Sequence, residues 1–322
     1  MGIVLEATNP YGNLAAVVED DGRAVTLYVH PVDERSIPAR SLKLVDRDPA
    51  TSPTPGSFRA VWTPEGDGVV VLDGTKPIGL LPSGNVAGIA LSDGSREMAE
   101  ATRLVAESDA YYARFAVAEG QSPFVTLRDA EIARLEAKFG THVAYYSADE
   151  NRFPPLAVVE FAPENFAGGR LYVSVGMRLR PLPAAFARTP RHVEIAVATS
   201  GESGWGPNVV AWLARYPWRV YTSVGDGVLV ASPAAEASWF VPDRSAMFLL
   251  ASPPASVVAG APMPAPELAG ASGGTDGTPS TTFLWALPVT MLDMRTARLA
   301  GAARLTEILA ARGEGWRYDD EG

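Results

Sequence analysis

The runs Ala15–Glu19 and Ala24–His30 are both β-prone, and between them stand Asp20-Asp21-Gly22. An Asp-Gly pair between two such runs signals a hairpin, because glycine takes positive φ without steric cost and aspartate tolerates it better than most. That one feature commits the N-terminal region to antiparallel pairing and sets all-helical folds aside. Further short strands are expected at Phe58–Trp62, Gly68–Leu72 and Val86–Leu91, with Pro49, Pro53 and Pro55 marking an exposed connection.

The pattern changes at Ser95–Glu119. Met98, Thr102, Val105 and Tyr112 recur at helical spacing, with Glu97, Glu100, Arg103 and Glu107 beside them, as in an amphipathic helix. A boundary is expected at Gly120–Pro123. Thr126 and Asp129 then read as a capping box, Ile132, Leu135 and Phe139 as an apolar helix face, and Gly140 as its stop.

Strand-like runs follow at Ala157–Phe161, Leu171–Met177 and Val193–Ala198, the last with Val193, Ile195 and Val197 on one face. Asn208–Tyr216 reads as a short helix, preceded by Pro207 and closed by Pro217. Arg219–Val224 and Val228–Ala231 bracket Gly225-Asp226-Gly227, a second hairpin signal. Residues 252–282, rich in Pro, Gly, Ala and Ser, are expected to form a long surface loop or a partly disordered insert. A last strand, Phe283–Val289, and a helix, Arg295–Ala311, with Leu299, Ala302, Leu305 and Leu309 inward and Gly313 at its end, close the pattern. Helices and strands do not alternate strictly, so the expected class is α+β rather than doubly wound. The layout is a β-rich domain over 1–95, a helical linker over 96–122, a mixed α/β domain over 123–313 and an acidic tail over 314–322.

Several chemistries fail on composition or spacing. There is no cysteine, which removes disulfides, thiolate metal sites and cysteine nucleophiles. The net charge of -10, without a basic stripe, disfavours nucleic acid and anionic membranes. His30, His142 and His192 are isolated from one another in sequence, so no metal or other cofactor is expected. Gly201-Glu202-Ser203-Gly204 places its last glycine one residue early for a nucleophile elbow. Asp20-Asp21 and Asp319-Asp320 sit in a turn and in the tail, where solvated charge is commoner than an acid–base pair. No catalytic residue is assigned. No apolar run approaches the roughly 18 residues of a membrane span. The N-terminus carries no secretory pattern, which together with the missing cysteines points to the cytoplasm.

Trp205, Trp212, Tyr216, Trp218 and Tyr221 cluster in one short stretch. Aromatics of this kind line a helix's buried face or, where exposed, anchor a protein partner. The residues from about 123 to 313 resemble the Suppressor of fused domain. The points of likeness are the strand ending Val173-Ser174-Val175-Gly176-Met177, the glutamate-bearing strand His192-Val193-Glu194-Ile195-Ala196-Val197, the helix end Trp212-Leu213-Ala214-Arg215-Tyr216-Pro217, and Leu287-Pro288-Val289-Thr290 followed by Gly301 and Leu305. The family's acidic stretch after the apolar-Pro-apolar step is thin here, with only Asp293 in Leu292-Asp293-Met294-Arg295.

The resemblance implies a non-enzymatic domain that binds a protein or peptide, through a cleft and strand pairing in eukaryotic members. Bacterial members look similar to immunity proteins that neutralise toxins. The partner-binding residues it points to are Gly176, Met177, Trp205, Trp212, Tyr216, Trp218 and Asp293. The competing reading is a hydrolase-like enzyme with its site at the domain interface. A pocket of clustered, perturbed titratable groups would favour the enzyme; an open groove or exposed sheet edge would favour binding.

Overall fold

A computed structural model describes residues 2–32, 39–46, 57–84, 86–115, 123–148, 153, 155–163, 169–179, 182, 192–199, 201–202, 204–219, 223–231, 246–250, 282–312 and 317–318. Outside them lie the Pro49–Pro55 connection, the boundary residues 120–122, Ser203, Tyr221, nearly all of the 252–282 loop, Gly313 and the acidic tail apart from Arg317 and Tyr318. The class is mixed, with five helices and sixteen strands among the described residues. Two compact units are present: Met1–Val125 with Trp218–Thr222, and Thr126–Pro217 with Ser223–Gly322.

The first unit opens with strands β1 (Gly2–Thr8), β2 (Leu14–Asp20), β3 (Ala24–Pro31) and β4 (Arg40–Asp46), which form an antiparallel meander. The hairpin at Asp20-Asp21-Gly22 joins β2 and β3 in this sheet. A second meander holds β5 (Phe58–Trp62), β6 (Val69–Asp73), β7 (Lys76–Leu81) and β8 (Ile89–Ala90). The strand expected at Val86–Leu91 contracts to its two paired residues, Ile89 and Ala90, both exposed; with no buried face, nothing extends the pairing. One core draws on both sheets, with Leu14, Leu27, Val69 and Val71 among its members. Helix α1 (Arg96–Ala113) starts where Ser95 Oγ accepts from the Met98 N–H at 3.0 Å. It buries Ala101 against Val70 and Leu80, and Tyr112 Oη donates to the Thr63 carbonyl at 2.8 Å.

In the second unit, α2 runs over Pro123–Phe139 and so begins one turn before the expected Thr126 cap. Proline at the first helical position costs nothing, since its missing N–H would lack a partner there anyway. The sheet then builds from β9 (His142–Ser147), β10 (Ala157–Phe161), β11 (Arg170–Val175), β12 (Val193–Thr199), β13 (Val228–Ala231), β14 (Ala246–Leu250), β15 (Thr282–Val289) and β16 (Arg317–Tyr318). Its order is β13-β14-β15-β12-β11-β10-β9, with β16 also paired to β12. β12 pairs in parallel with β15 and β16, and the remaining ladders are antiparallel.

Three expectations of local structure change in this unit. Helix α3 covers Gly206–Arg219 and runs through Pro217, which lies two residues from its end, where a lost backbone bond costs least. Arg219 is therefore helical, and among the described residues β13 pairs with β14 alone, while residues 220–222 of the expected first hairpin strand lie outside the described residues. The expected 295–311 helix is two helices, α4 (Met291–Ala300) and α5 (Ala302–Arg312). Gly301, at φ 86°, breaks them apart in a conformation that side chains with a Cβ avoid. The break resets the helical phase, so Leu305 and Leu309 of α5 are buried as expected, whereas Leu299, expected inward, is exposed and α4 turns Met294 and Ala297 to the core.

One face of the sheet carries Val159, Phe161, Val173, Ala196, Ala198 and Trp285, packed with Leu135 and Phe139 of α2, Met294 of α4, and Leu305 and Leu309 of α5. Tyr172 points to the other face, as strand alternation requires, and meets the start of α3: a Cβ on Gly206 would stand 2.4 Å from its ring. With helices on both faces, every residue of β12 is buried.

Candidate functional site

Helix α3 carries the aromatic cluster. Val209, Val210, Leu213 and Ala214 are buried along one side, and Trp205, Trp212 and Tyr216 are half-buried. At about 100° per residue, Trp212 and Tyr216 lie on the flank between that buried side and the exposed Asn208. The Trp205 carbonyl accepts the Val209 N–H at 3.0 Å, so Trp205 stands at the helix entry. The Trp212 and Tyr216 rings pack at 5.3 Å between centroids, tilted by 50°, and burial pushes the Tyr216 hydroxyl pKa above its usual range. Arg215 ties α3 to the end of β9, its Nε donating to the Ala148 carbonyl at 2.8 Å.

The strand end at Gly176 is a separate polar centre. Gly176 has φ 119°, and its N–H donates to Glu194 Oε1 at 2.9 Å. The Arg178 N–H donates to the same oxygen at 3.2 Å, and Ser174 Oγ donates to Glu194 Oε2 at 2.6 Å. Ser174 Oγ in turn accepts the Ile195 N–H at 2.8 Å. Glu194 is fully buried, and burial, aided by nearby Glu131, pushes its carboxyl up to about 7 against the pull of the three donors. Glu131 on α2 is also buried and pairs with Arg178 at 3.1 Å and Arg134 at 2.5 Å. This network fixes the turn that leaves β11: it gathers its donors from three consecutive features of the chain and spends them on one carboxylate.

The other expected partner-binding residues fall elsewhere. Met177 is buried within the short 3-10 turn Met177–Leu179, with Ser174 Oγ 3.5 Å from its sulfur. Trp218 is buried and grouped with the first unit. Asp293 is buried as the third residue of α4, where its Oδ2 accepts from the Thr290 N–H at 2.9 Å and from Thr290 Oγ1 at 2.8 Å. Its carboxylate completes a capping box. Of the seven, the structure thus brings Trp212 and Tyr216 into contact on one partly accessible flank, with half-buried Trp205 at the entry of the same helix. Residue-level reading had passed over Glu131, Arg134 and Arg178; Glu194 was visible as a lone acid in an apolar strand.

Each histidine has a local polar neighbour: Pro31 O at 3.1 Å from His30, Glu136 at 2.7 Å from His142, and Arg178 O at 2.8 Å from His192. Among the described residues there is no group of three or more His, Cys, Asp or Glu placed to hold a metal ion. No helix among them is long and apolar enough to cross a membrane.

No curated protein matches the chain. Similar solved structures include a SUFU (suppressor of fused protein) homolog from Neisseria gonorrhoeae FA 1090, 16% identical, with 60% of this chain and 94% of that chain covered and a TM-score of 0.44. Another is the Sufu-Fu complex, 10% identical, with 60% and 89% covered and a TM-score of 0.41. The model of the Suppressor of fused protein (SUFU) family matches residues 153–320, which run from ahead of β10 through β16 and take in the Gly176 turn, the Glu194 strand and all of α3. Because that match spans more than half of the chain and holds every point of likeness read from the residues, the chain belongs to the Suppressor of fused family.

Proposed function

We propose that this chain acts by binding another protein, without catalysis, as an immunity or adaptor protein that sequesters its partner in a bacterial cytoplasm. A toxin is the partner class that fits an immunity role. The observation that carries this reading is the family match over residues 153–320, since the family resemblance implies a non-enzymatic binding domain. Two features of the second unit support it physically. Trp205, Trp212 and Tyr216 offer large, half-buried rings, the kind of side chain that dominates protein-binding energy. Strand β9 ends the sheet, pairs among the described residues only with β10, and has neither proline nor lysine over His142–Ser147. Edges not meant for pairing usually carry such guards, so an extended peptide can add here.

The test uses Trp205→Ala and Tyr216→Ala in the full chain, with denaturation and partner capture measured side by side. The binding reading expects capture to fall while stability stays within about 0.5 kcal/mol, the usual range for surface changes. A loss of several kcal/mol would instead return these rings to the core. A toxin gene adjacent to this one, whose product is neutralised by the chain on co-expression, would select the immunity role over the adaptor role.

A further inference from the structure

We propose that the outward face of α4 is a second docking surface, and that its occupant is an acidic, amphipathic segment of a partner protein. Among the described residues, the three most exposed large apolar side chains all lie on this helix: Leu299 at 80%, Leu292 at 69% and Met291 at 63%. The next is Ile3, at 61%, on a strand of the other unit. Successive helical residues turn by about 100°, so Arg298, Met291, Arg295, Leu299 and Leu292 follow one another around a single arc of about 120°. The opposite side holds buried Asp293 and partly buried Ala297, with Met294 in the core beside them. These five exposed side chains are therefore one stripe, with two arginines set among three apolar residues, and not scattered surface leucines.

Charge identifies the occupant. The chain carries a net charge of -10, yet α4 presents no exposed acid, because its one carboxylate, Asp293, is spent inside as the cap. Arg295 and Arg298 are exposed, and neither has an ion-pair partner among the described residues. Apolar anchors beside two exposed guanidinium groups complement leucine-like and carboxylate side chains on one face of a partner. A second copy of this chain fits poorly, since a two-fold axis through α4 would set arginines against arginines in two chains that already repel. An anionic lipid surface fits poorly as well, because basic residues contribute only about 1 kcal/mol each there and the rest of the chain is acidic. This surface does not depend on the α3 flank.

The probe is a fluorescently labelled helical peptide with leucines at positions i, i+3 and i+7 and glutamates at i+4 and i+8, titrated into the full chain by anisotropy. The expected result is saturable binding that weakens with salt. It should also weaken by about tenfold, or 1.4 kcal/mol, in Leu299→Ser and in the pair Arg295→Glu with Arg298→Glu. Circular dichroism of those variants should match the parent, since the altered side chains are exposed. Trp205→Ala should leave this binding unchanged, which separates failure here from failure of the α3 site. Absent binding, or equal binding of a control peptide with lysine for glutamate, would overturn the proposal. So would a dimer of the parent chain that Leu299→Ser dissociates, or stronger binding to phosphatidylserine vesicles than to the peptide.

Discussion

Strands β12 and β9 belong to one sheet and differ in the opposite sense from what their side chains suggest. β12 contains a glutamate, and all seven of its residues are buried. β9 contains no carboxylate, and Val143, Tyr145 and Tyr146 are all exposed. Sheet position accounts for the reversal. β12 has β11 on one side and β15 on the other, with helices covering both faces, whereas β9 has, among the described residues, only β10. A buried strand can carry a charge if its neighbours supply donors, as Ser174, Gly176 and Arg178 do for Glu194. An edge strand remains exposed however apolar it is, because a ladder has two sides and one of them is open.

The comparison can be broken most directly at Ile195. Ile195→Ala should cost about 2–5 kcal/mol in a denaturant titration, as expected where a large apolar side chain leaves a core cavity. A cost no larger than that of a surface change would mean that β12 is not the central strand.

The charge buried in β12 gives the next effect. The Glu194 pKa is raised from 4.5 to about 7, so the folded chain keeps a proton that the unfolded chain releases earlier. The associated stability is fully present below pH 4.5 and is lost as pH rises through about 7. It amounts to about 3 kcal/mol. Glu194→Gln should flatten stability across that window, because the amide oxygen still accepts the Gly176 and Arg178 N–H groups. An unaltered slope would place the titrating group elsewhere.

A smaller effect sharpens the account of the covered face. Gly206→Ala sets a Cβ 2.4 Å from the Tyr172 ring, whereas Gly204 has no atom within 4 Å of a built Cβ. The first should cost about 1–3 kcal/mol by overpacking, and the second should stay within about 0.5 kcal/mol. Equal melting temperatures for the two variants would show that α3 does not press on β11. Smallest of all, Val143→Ala at the open edge should remain within about 0.5 kcal/mol, and a larger loss would mean that β9 is covered.

Much of this architecture was legible where a short stretch of chain dictates its own shape. The Asp20-Asp21-Gly22 hairpin and the stop at Gly140 each depend on one or two residues and their immediate neighbours. The aromatic flank of α3 was legible for the same reason, since four-residue spacing sets Trp212 beside Tyr216. Illegible were β1, β4, β7, β9, β14 and β16, each held as a strand by a neighbouring ladder, and the partner of β13, which lies many residues away. Asp293 shows the limit in a single residue: the acid was visible, but its burial follows from Thr290 and from the way α4 meets the core.

By itself, then, the sequence determined the kind of elements present, the absence of thiol chemistry and the family, because these rest on local conformational preference and on the order of motifs. The tertiary structure alone decided that Glu194 is inside while Tyr145 is outside, that Met177 and Trp218 are covered, and that the α4 face with Leu292 and Leu299 is exposed. Those outcomes are set by which strand has neighbours on both sides and which side of a helix meets the sheet, and such relations join residues far apart in the chain.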